Sequence, residues 1–346
     1  MRILRKFCAA KHAAFFLIVF LVGCKSEEKI GQLSGETMGT SWSISLYVTS
    51  SKYKNERDKL LFDVTAILNR ISKQMSTYDP ESEITQFNNL ETLNKKMPVS
   101  LEFAEVTRIS LLFAKVTKGM FDPTIGPLLK IWGFGYDSLE KGIPSDADVE
   151  EAKSRVGWEA ISVDFARDDG TFLAKSKPRV LDLSAVAKGY AVDEVSEYLM
   201  SQGFDNFLVE IGGDLRASGV KDGSGWRVAI EKPAYDDRKI HKLVNLKGMS
   251  LATSGDYRNY RTVGNKKFSH VINPKTARPV EHSLASVTVA DKECSMADGW
   301  ATTLLVMGEE EGFDLANLAR IPAYFIIREN GKFFAKMTDD FKLLLE

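Results

Sequence analysis

One stretch constrains this chain more than any other: Asp182-Leu183-Ser184-Ala185-Val186-Ala187-Lys188-Gly189-Tyr190-Ala191-Val192-Asp193. The run Arg179-Val180-Leu181 before it reads as a strand, and Val192, Val195 and Leu199 recur at helical spacing. A strand end thus delivers a carboxylate to a helix whose first turns carry a lysine and a glycine. Unpaired amides at such a helix start favour anions, so a phosphate or a metal could be held there. Ordinary helix capping explains the same residues, and the rest of the chain must decide.

The elements come in blocks rather than in strict alternation, which argues an α+β fold. Ser41-Trp42-Ser43-Ile44-Ser45-Leu46-Tyr47-Val48 alternates as a strand, and Leu60, Val64, Leu68, Ile71 and Met75 predict an amphipathic helix over residues 55–74. Ser100 reads as the N-cap of a helix reaching Lys118, and Ser145 as the cap of a short one ending near Arg155. Runs at 161–163, 171–173, 180–182, 206–211, 226–231, 249–253 and 285–289 read as strands. A helix follows over 295–307, closed by Gly308, and Asn330-Gly331 joins two short strands in a type I′ hairpin. Between Gly119 and Gly135, two prolines and four glycines exclude a long uninterrupted helix. That apolar loop, with Phe121, Trp132 and Phe134, either walls a pocket or packs a core.

The N-terminus reads as a leader. Arg2, Arg5, Lys6 and Lys11 precede an apolar run too short to span a bilayer stably, and Leu21-Val22-Gly23-Cys24 resembles a bacterial lipobox. The expected organisation is a signal peptide over 1–23, lipidation at Cys24, a polar tether over 24–34 and one domain over 35–346. The chain has a net charge of −1, and loss of the four leader cations leaves 42 basic against 47 acidic residues. No basic, aromatic-interleaved patch marks a nucleic-acid partner. Only Cys294 would remain as a free thiol, so neither a disulfide nor a cysteine metal cluster is available.

Four places carry more polar information than folding needs. The first is the stretch at 182–193. In the second, Ser295-Met296-Ala297-Asp298-Gly299-Trp300-Ala301-Thr302, a helix puts Asp298 and Thr302 on one face. Such oxygens suit Mg²⁺, but Ser295 with Asp298 also spells a capping box, which spacing alone favours. The third, Thr253-Ser254-Gly255-Asp256-Tyr257-Arg258, ends a strand in small residues able to approach a phosphate. The fourth, Ser269-His270-Val271-Ile272-Asn273-Pro274, carries a lone histidine, which in such a setting is more often structural than catalytic; His241 and His282 read as surface or loop histidines. No P-loop, Gly-x-Ser-x-Gly, Gly-x-Gly-x-x-Gly or His-Glu-x-x-His pattern is present. Spacing reaches as far as an exported α+β protein with a phosphate and Mg²⁺ as possible ligands.

These four, joined in order by Thr37-Met38-Gly39-Thr40, Ser76-Thr77-Tyr78, Gly119-Met120-Phe121-Asp122-Pro123-Thr124 and Glu210-Ile211-Gly212-Gly213-Asp214, resemble the ApbE family. That family comprises the FAD:protein FMN transferases, periplasmic enzymes that are often lipoproteins. The resemblance spans about residues 35–340 and implies a single T-fold-like domain of mixed and antiparallel sheets with flanking helices. It further implies that FAD is split at its pyrophosphate and FMN joined through a phosphoester to a Thr or Ser of an acceptor, releasing AMP. Acceptors would be subunits of membrane redox complexes of the RNF or sodium-translocating quinone reductase type. By position, Ala185 (carbonyl), Asp298 and Thr302 would hold Mg²⁺. Met38, Tyr78, Met120, Phe121, Asp122, Asp182, Lys188, Gly255, His270, Val271 and Ile272 would meet FAD. His270 would deprotonate or orient the acceptor hydroxyl, and Asp298 joins it as catalytic through the metal. Asn273 stands where the family more often has Asp, and Ser184-Ala185 replaces a commoner small or glycine pair. Two other readings stay open: an FAD pyrophosphatase and a non-catalytic FAD-binding lipoprotein.

Overall fold

Alternation along Trp42, Ile44 and Leu46, buried, against Ser41 and Ser43, exposed, marks a strand with one face in the core. In the computed structural model, which describes residues 28–135, 142–166, 170–233, 239–256 and 260–345, this strand belongs to an eight-stranded sheet. Its members in chain order are β1 (Glu28–Thr37), β2 (Thr40–Thr49), β3 (Phe207–Ile211), β4 (Asp214–Ser218), β5 (Ser250–Gly255), β6 (Leu284–Asp291), β7 (Ala323–Glu329) and β8 (Lys332–Met337). Spatial order follows chain order, and every pairing is antiparallel. The α+β reading holds, and the sheets are antiparallel throughout.

Three helices flank the sheet: α1 (Ser50–Met75), α3 (Ser184–Ser201) and α4 (Cys294–Met307), while α2 (Leu101–Val116) packs on α1, α3 and α4. Leu60, Val64, Leu68 and Ile71 of α1 join Val186, Val192, Val195 and Leu199 of α3 over Ile44, Leu46, Phe207 and Val209. Ala297, Ala301, Leu304 and Leu305 of α4 meet Val287, Val289 and Phe325. Side chains alternate, so Ala290, Tyr324 and Ile326 point to the opposite face, where Trp226, Val228, Ile230, Val244, Leu246 and Phe341 cover them. Strand β6 is therefore buried on both faces, which explains its almost unbroken small and apolar sequence.

Local signals set the boundaries. Ser100 and Ser145 cap as predicted, accepting from Phe103 N and Asp148 N, the latter in a full capping box. Asn330 and Gly331 take the positive φ of a type I′ turn. Helix α1 starts earlier than its apolar spacing suggests because Thr49 accepts from Lys52 N.

Two expectations fail. Residues 28–34, read as tether, form most of β1 and pair residue by residue with β2; Leu33 is buried and Tyr53 Oη donates to the Gln32 carbonyl. Val180-Leu181-Asp182 is not a strand. Side-chain and loop partners take its backbone instead: Leu181 N donates to Asn88 Oδ1 at 2.7 Å, Asn88 Nδ2 to the Leu181 carbonyl at 2.9 Å, and Asp182 N to the Pro123 carbonyl at 2.8 Å. The leader, the lipobox with Cys24, and Tyr257-Arg258 lie outside the described residues.

Candidate active site

Gly189 brings the two halves of the site together. A Cβ there would lie 2.4 Å from the Cys294 carbonyl oxygen, so α3 and α4 cross at a separation only glycine allows. The contact lets Gly189 N–H, whose regular helical acceptor would be the Ala185 carbonyl, reach Asp298 Oδ2 at 3.2 Å. Lys188, next along α3, donates to the same oxygen at 3.3 Å and more closely to Asp214 Oδ2. Asp214 follows the Gly212-Gly213 turn at the start of β4, and both carboxylates are almost wholly buried.

Burial favours neutral forms, and the ions oppose it. Burial first and the neighbouring Asp214 charge second push the Asp298 carboxyl up to about 7, against the counter-pull of Lys188. For Lys188, burial lowers the pKa but Asp214 and Asp298 together hold it above the ordinary lysine value. The ammonium is therefore a fixed positive charge, with a third of its side chain still open to solvent.

Around this pair the oxygens are hard donors. Thr302, one helical turn beyond Asp298, lies 3.1 Å from Ser254 Oγ at the end of β5, one residue before Gly255. Both hydrogen bonds to Asp298 fall on Oδ2, and Oδ1 takes none from the described residues. A buried carboxylate with one uncommitted oxygen, a threonine hydroxyl and the Ala185 carbonyl are a donor set that fits Mg²⁺ rather than a soft metal. The residues present fit that ion.

The Ser295–Asp298 capping box does not form. Helix α4 has no cap from its own N-cap residue, Glu293; Asp193 on α3 accepts from Cys294 N at 2.8 Å and Ser295 N at 2.9 Å instead. Asp298 is thereby released from capping.

The other expected residues divide. Met120 and Val271 pack on the cluster that holds Ala297 and Ala301, while Met38, in the positive-φ turn between β1 and β2, and Ala185 each pack against the neighbouring one. Ile272 joins Leu128 and Trp132 beneath the glycine-punctuated loop, which does pack a small core of its own and contains the short helix Gly126–Trp132. The His270 ring lies edge-on to Phe134, centroids 6.3 Å apart. Phe121 is core, 5.5 Å from the Phe113 ring. Asp122 accepts from Thr124 N, Thr124 Oγ1 and Trp158 N, shaping its loop, and Asp182 accepts from Ser184 N. Tyr78, in the loop after α1, is 73% exposed. Asp193 and Asp214 were legible only as members of motifs; their cross-chain partners give them their roles.

A model of the ApbE family matches residues 38–325, and the chain belongs to that family. Among its relatives, the FAD:protein FMN transferase of Vibrio cholerae is 37% identical over 330 residues, covering 95% of this chain and 96% of that protein. The Haemophilus influenzae and Escherichia coli K12 proteins of the same name are 37% and 34% identical at similar coverage. The solved flavin transferase ApbE from Vibrio cholerae superposes with a TM-score of 0.81, covering 92% of this chain and all of that one. The apo Pseudomonas stutzeri flavinyl transferase ApbE does so at 0.82 and 36% identity, covering 92% and 97%.

Proposed function

We propose that this chain is an FAD:protein FMN transferase that uses Mg²⁺ to move FMN from FAD to a Thr or Ser hydroxyl of an acceptor protein, releasing AMP. The observation that carries the reading is the near-full-length likeness to relatives bearing that name, joined to a buried Asp298–Lys188–Asp214 cluster.

The reaction is a phosphoryl-centre substitution. The acceptor Oγ forms a bond to the phosphorus of the FMN half, the bond to the bridging oxygen breaks, and AMP leaves with that oxygen. His270 takes the hydroxyl proton, or orients the hydroxyl, from the loop beside Phe134. Lys188 supplies a positive charge that Asp214 keeps in place, and the buried setting of Asp298 makes each charge interaction there stronger than in water. Mg²⁺ at Asp298, Thr302 and the Ala185 carbonyl would neutralise pyrophosphate charge and steady the transition state. Because the nucleophile comes from the partner, the enzyme needs no Ser-His-Asp arrangement of its own.

The leader read in the sequence supports a location, and the family resemblance supports a class of partner. Lipidation of Cys24 would anchor the domain to the inner or outer membrane, facing the periplasm, where membrane redox subunits of the RNF or sodium-translocating quinone reductase type are suitable acceptors. A Cys24→Ser change should abolish labelling by radioactive palmitate. Incubation with FAD, Mg²⁺ and an acceptor should yield a fluorescent acceptor band in a denaturing gel together with AMP. AMP and free FMN without acceptor modification would instead identify a pyrophosphatase, and FAD binding without turnover a carrier.

A further inference from the structure

Asp193 belongs to none of the groups expected to touch FAD or metal, yet it is 91% buried and fully engaged. Its Oδ1 accepts from Cys294 N and its Oδ2 from Ser295 N, the first two amides of α4. Arg216 on β4 closes the arrangement at 3.1 Å from Oδ1 and also pairs with Glu197, one turn further along α3.

The placement of this clamp matters more than its strength. On α3, Ala185, Gly189 and Asp193 succeed one another at four-residue steps, so they share one face along roughly 12 Å of helix. On α4, Cys294, Asp298 and Thr302 do the same. Asp193 meets Cys294, Gly189 meets both the Cys294 carbonyl and Asp298, and the helices run antiparallel. The clamp is thus one turn from the Gly189–Asp298 contact on both helices. Sliding α4 along α3 by a residue would lose both amide bonds to Asp193 and move Asp298 and Thr302 away from the Ala185 carbonyl.

We propose that Asp193 is the positioning residue that sets the register of α4 on α3 and so assembles the metal site from its two halves. The inference rests on the Mg²⁺ reading given above. Asp193 touches neither the metal donors nor the substrate, and it acts on cation affinity through the helix it caps. Replacing its carboxylate by an amide leaves one α4 amide facing an NH₂ donor, which breaks the two-point hold without removing bulk.

The test uses the folded enzyme and Mg²⁺ itself, titrated calorimetrically, with metal-free FAD binding measured in parallel. Asp193→Asn is expected to weaken Mg²⁺ binding by roughly tenfold, as loss of a supporting group around metal ligands does. The FAD dissociation constant should stay within about twofold, and kcat should recover at saturating Mg²⁺, a pattern that general destabilisation does not give. Gly189→Ala, which forces the helices apart by another route, should weaken Mg²⁺ similarly and carries the test if Asp193→Asn does not fold. Asp298→Asn is the reference and should abolish Mg²⁺ binding. Wild-type Mg²⁺ affinity in Asp193→Asn, or in Gly189→Ala where that variant stands in, with binding lost in Asp298→Asn, overturns the positioning role alone. Wild-type affinity in Asp298→Asn overturns the Mg²⁺ site and the inference with it.

Discussion

Gly189 N–H and Asp298 Oδ2 lie 3.2 Å apart although 109 residues separate them in the chain. That contact separates what Asp298 does for the fold from what it does for chemistry. Asp298→Asn retains an acceptor for Gly189 and nearly the same volume, but loses the charge. Its urea unfolding midpoint should stay close to wild type while FMN transfer falls at least about 100-fold, the scale expected when a centre of transition-state charge stabilisation is lost. Comparable losses in both measurements would make the residue structural.

Asp298 also predicts a pH dependence. In the metal-free fold its pKa rises from 3.8 to about 7, because burial and Asp214 disfavour its charge. The folded state holds this proton more tightly than the unfolded chain, so the group's contribution to stability declines as pH rises between those values. Cation binding works in the opposite sense, since Mg²⁺ must displace the proton. Apparent Mg²⁺ affinity should therefore increase from roughly pH 6 to pH 8, with proton release on binding. Calorimetry in two buffers of different ionisation enthalpy measures that release directly; none at pH 6 would contradict the assignment.

Lys188 and Asp214 form a partly desolvated pair whose carboxylate is the more deeply buried member. Removing Asp214 leaves Lys188, among the described residues, only its longer contact to Asp298. Asp214→Ala should cost on the order of 2–3 kcal/mol in chemical denaturation, the range for a charge-assisted hydrogen bond with its carboxylate removed. In a double-mutant cycle with Lys188→Met the two losses should be strongly non-additive. Additive losses would show that the two groups do not support one another.

How much of this was legible in the sequence depended on whether the determinant was local. Ser100, Ser145 and Asn330-Gly331 act on residues within a few positions, so their helices and hairpin were readable directly. The 180–182 segment has the composition of a strand, but Asn88, over ninety residues earlier, takes its hydrogen bonds. The Ser295–Asp298 spacing satisfied the capping rule, yet a carboxylate a hundred residues upstream supplies the cap. Spacing alone therefore favoured a capping role that the fold gives to Asp193 instead, and the metal role proposed for Asp298 comes from the family resemblance. Residues 28–34 look polar because Gln32 and Ser34 lie outward on an edge strand, where one buried Leu33 gives little periodic signal.

Packing behind α4 gives a further check. A Cβ on Gly299 would lie 2.2 Å from the Phe113 ring, which also stacks edge-on against Trp300 at 5.1 Å. Gly299→Ala should lower stability by about 1–3 kcal/mol through overpacking. Adding Phe113→Leu should recover part of that loss by making room. A further loss in the double variant would mean that the ring is not what limits the site.

The proposed reaction moves FMN from FAD to another protein at the Asp298 site. The most direct measurement is intact-mass analysis of a flavin-free redox subunit after incubation with the enzyme, FAD and Mg²⁺. A mass gain equal to one FMN esterified to a Thr or Ser is expected, with stoichiometric AMP, and no gain with Asp298→Asn. An unmodified acceptor across a panel of such subunits, or equal modification by the Asp298→Asn variant, would contradict it.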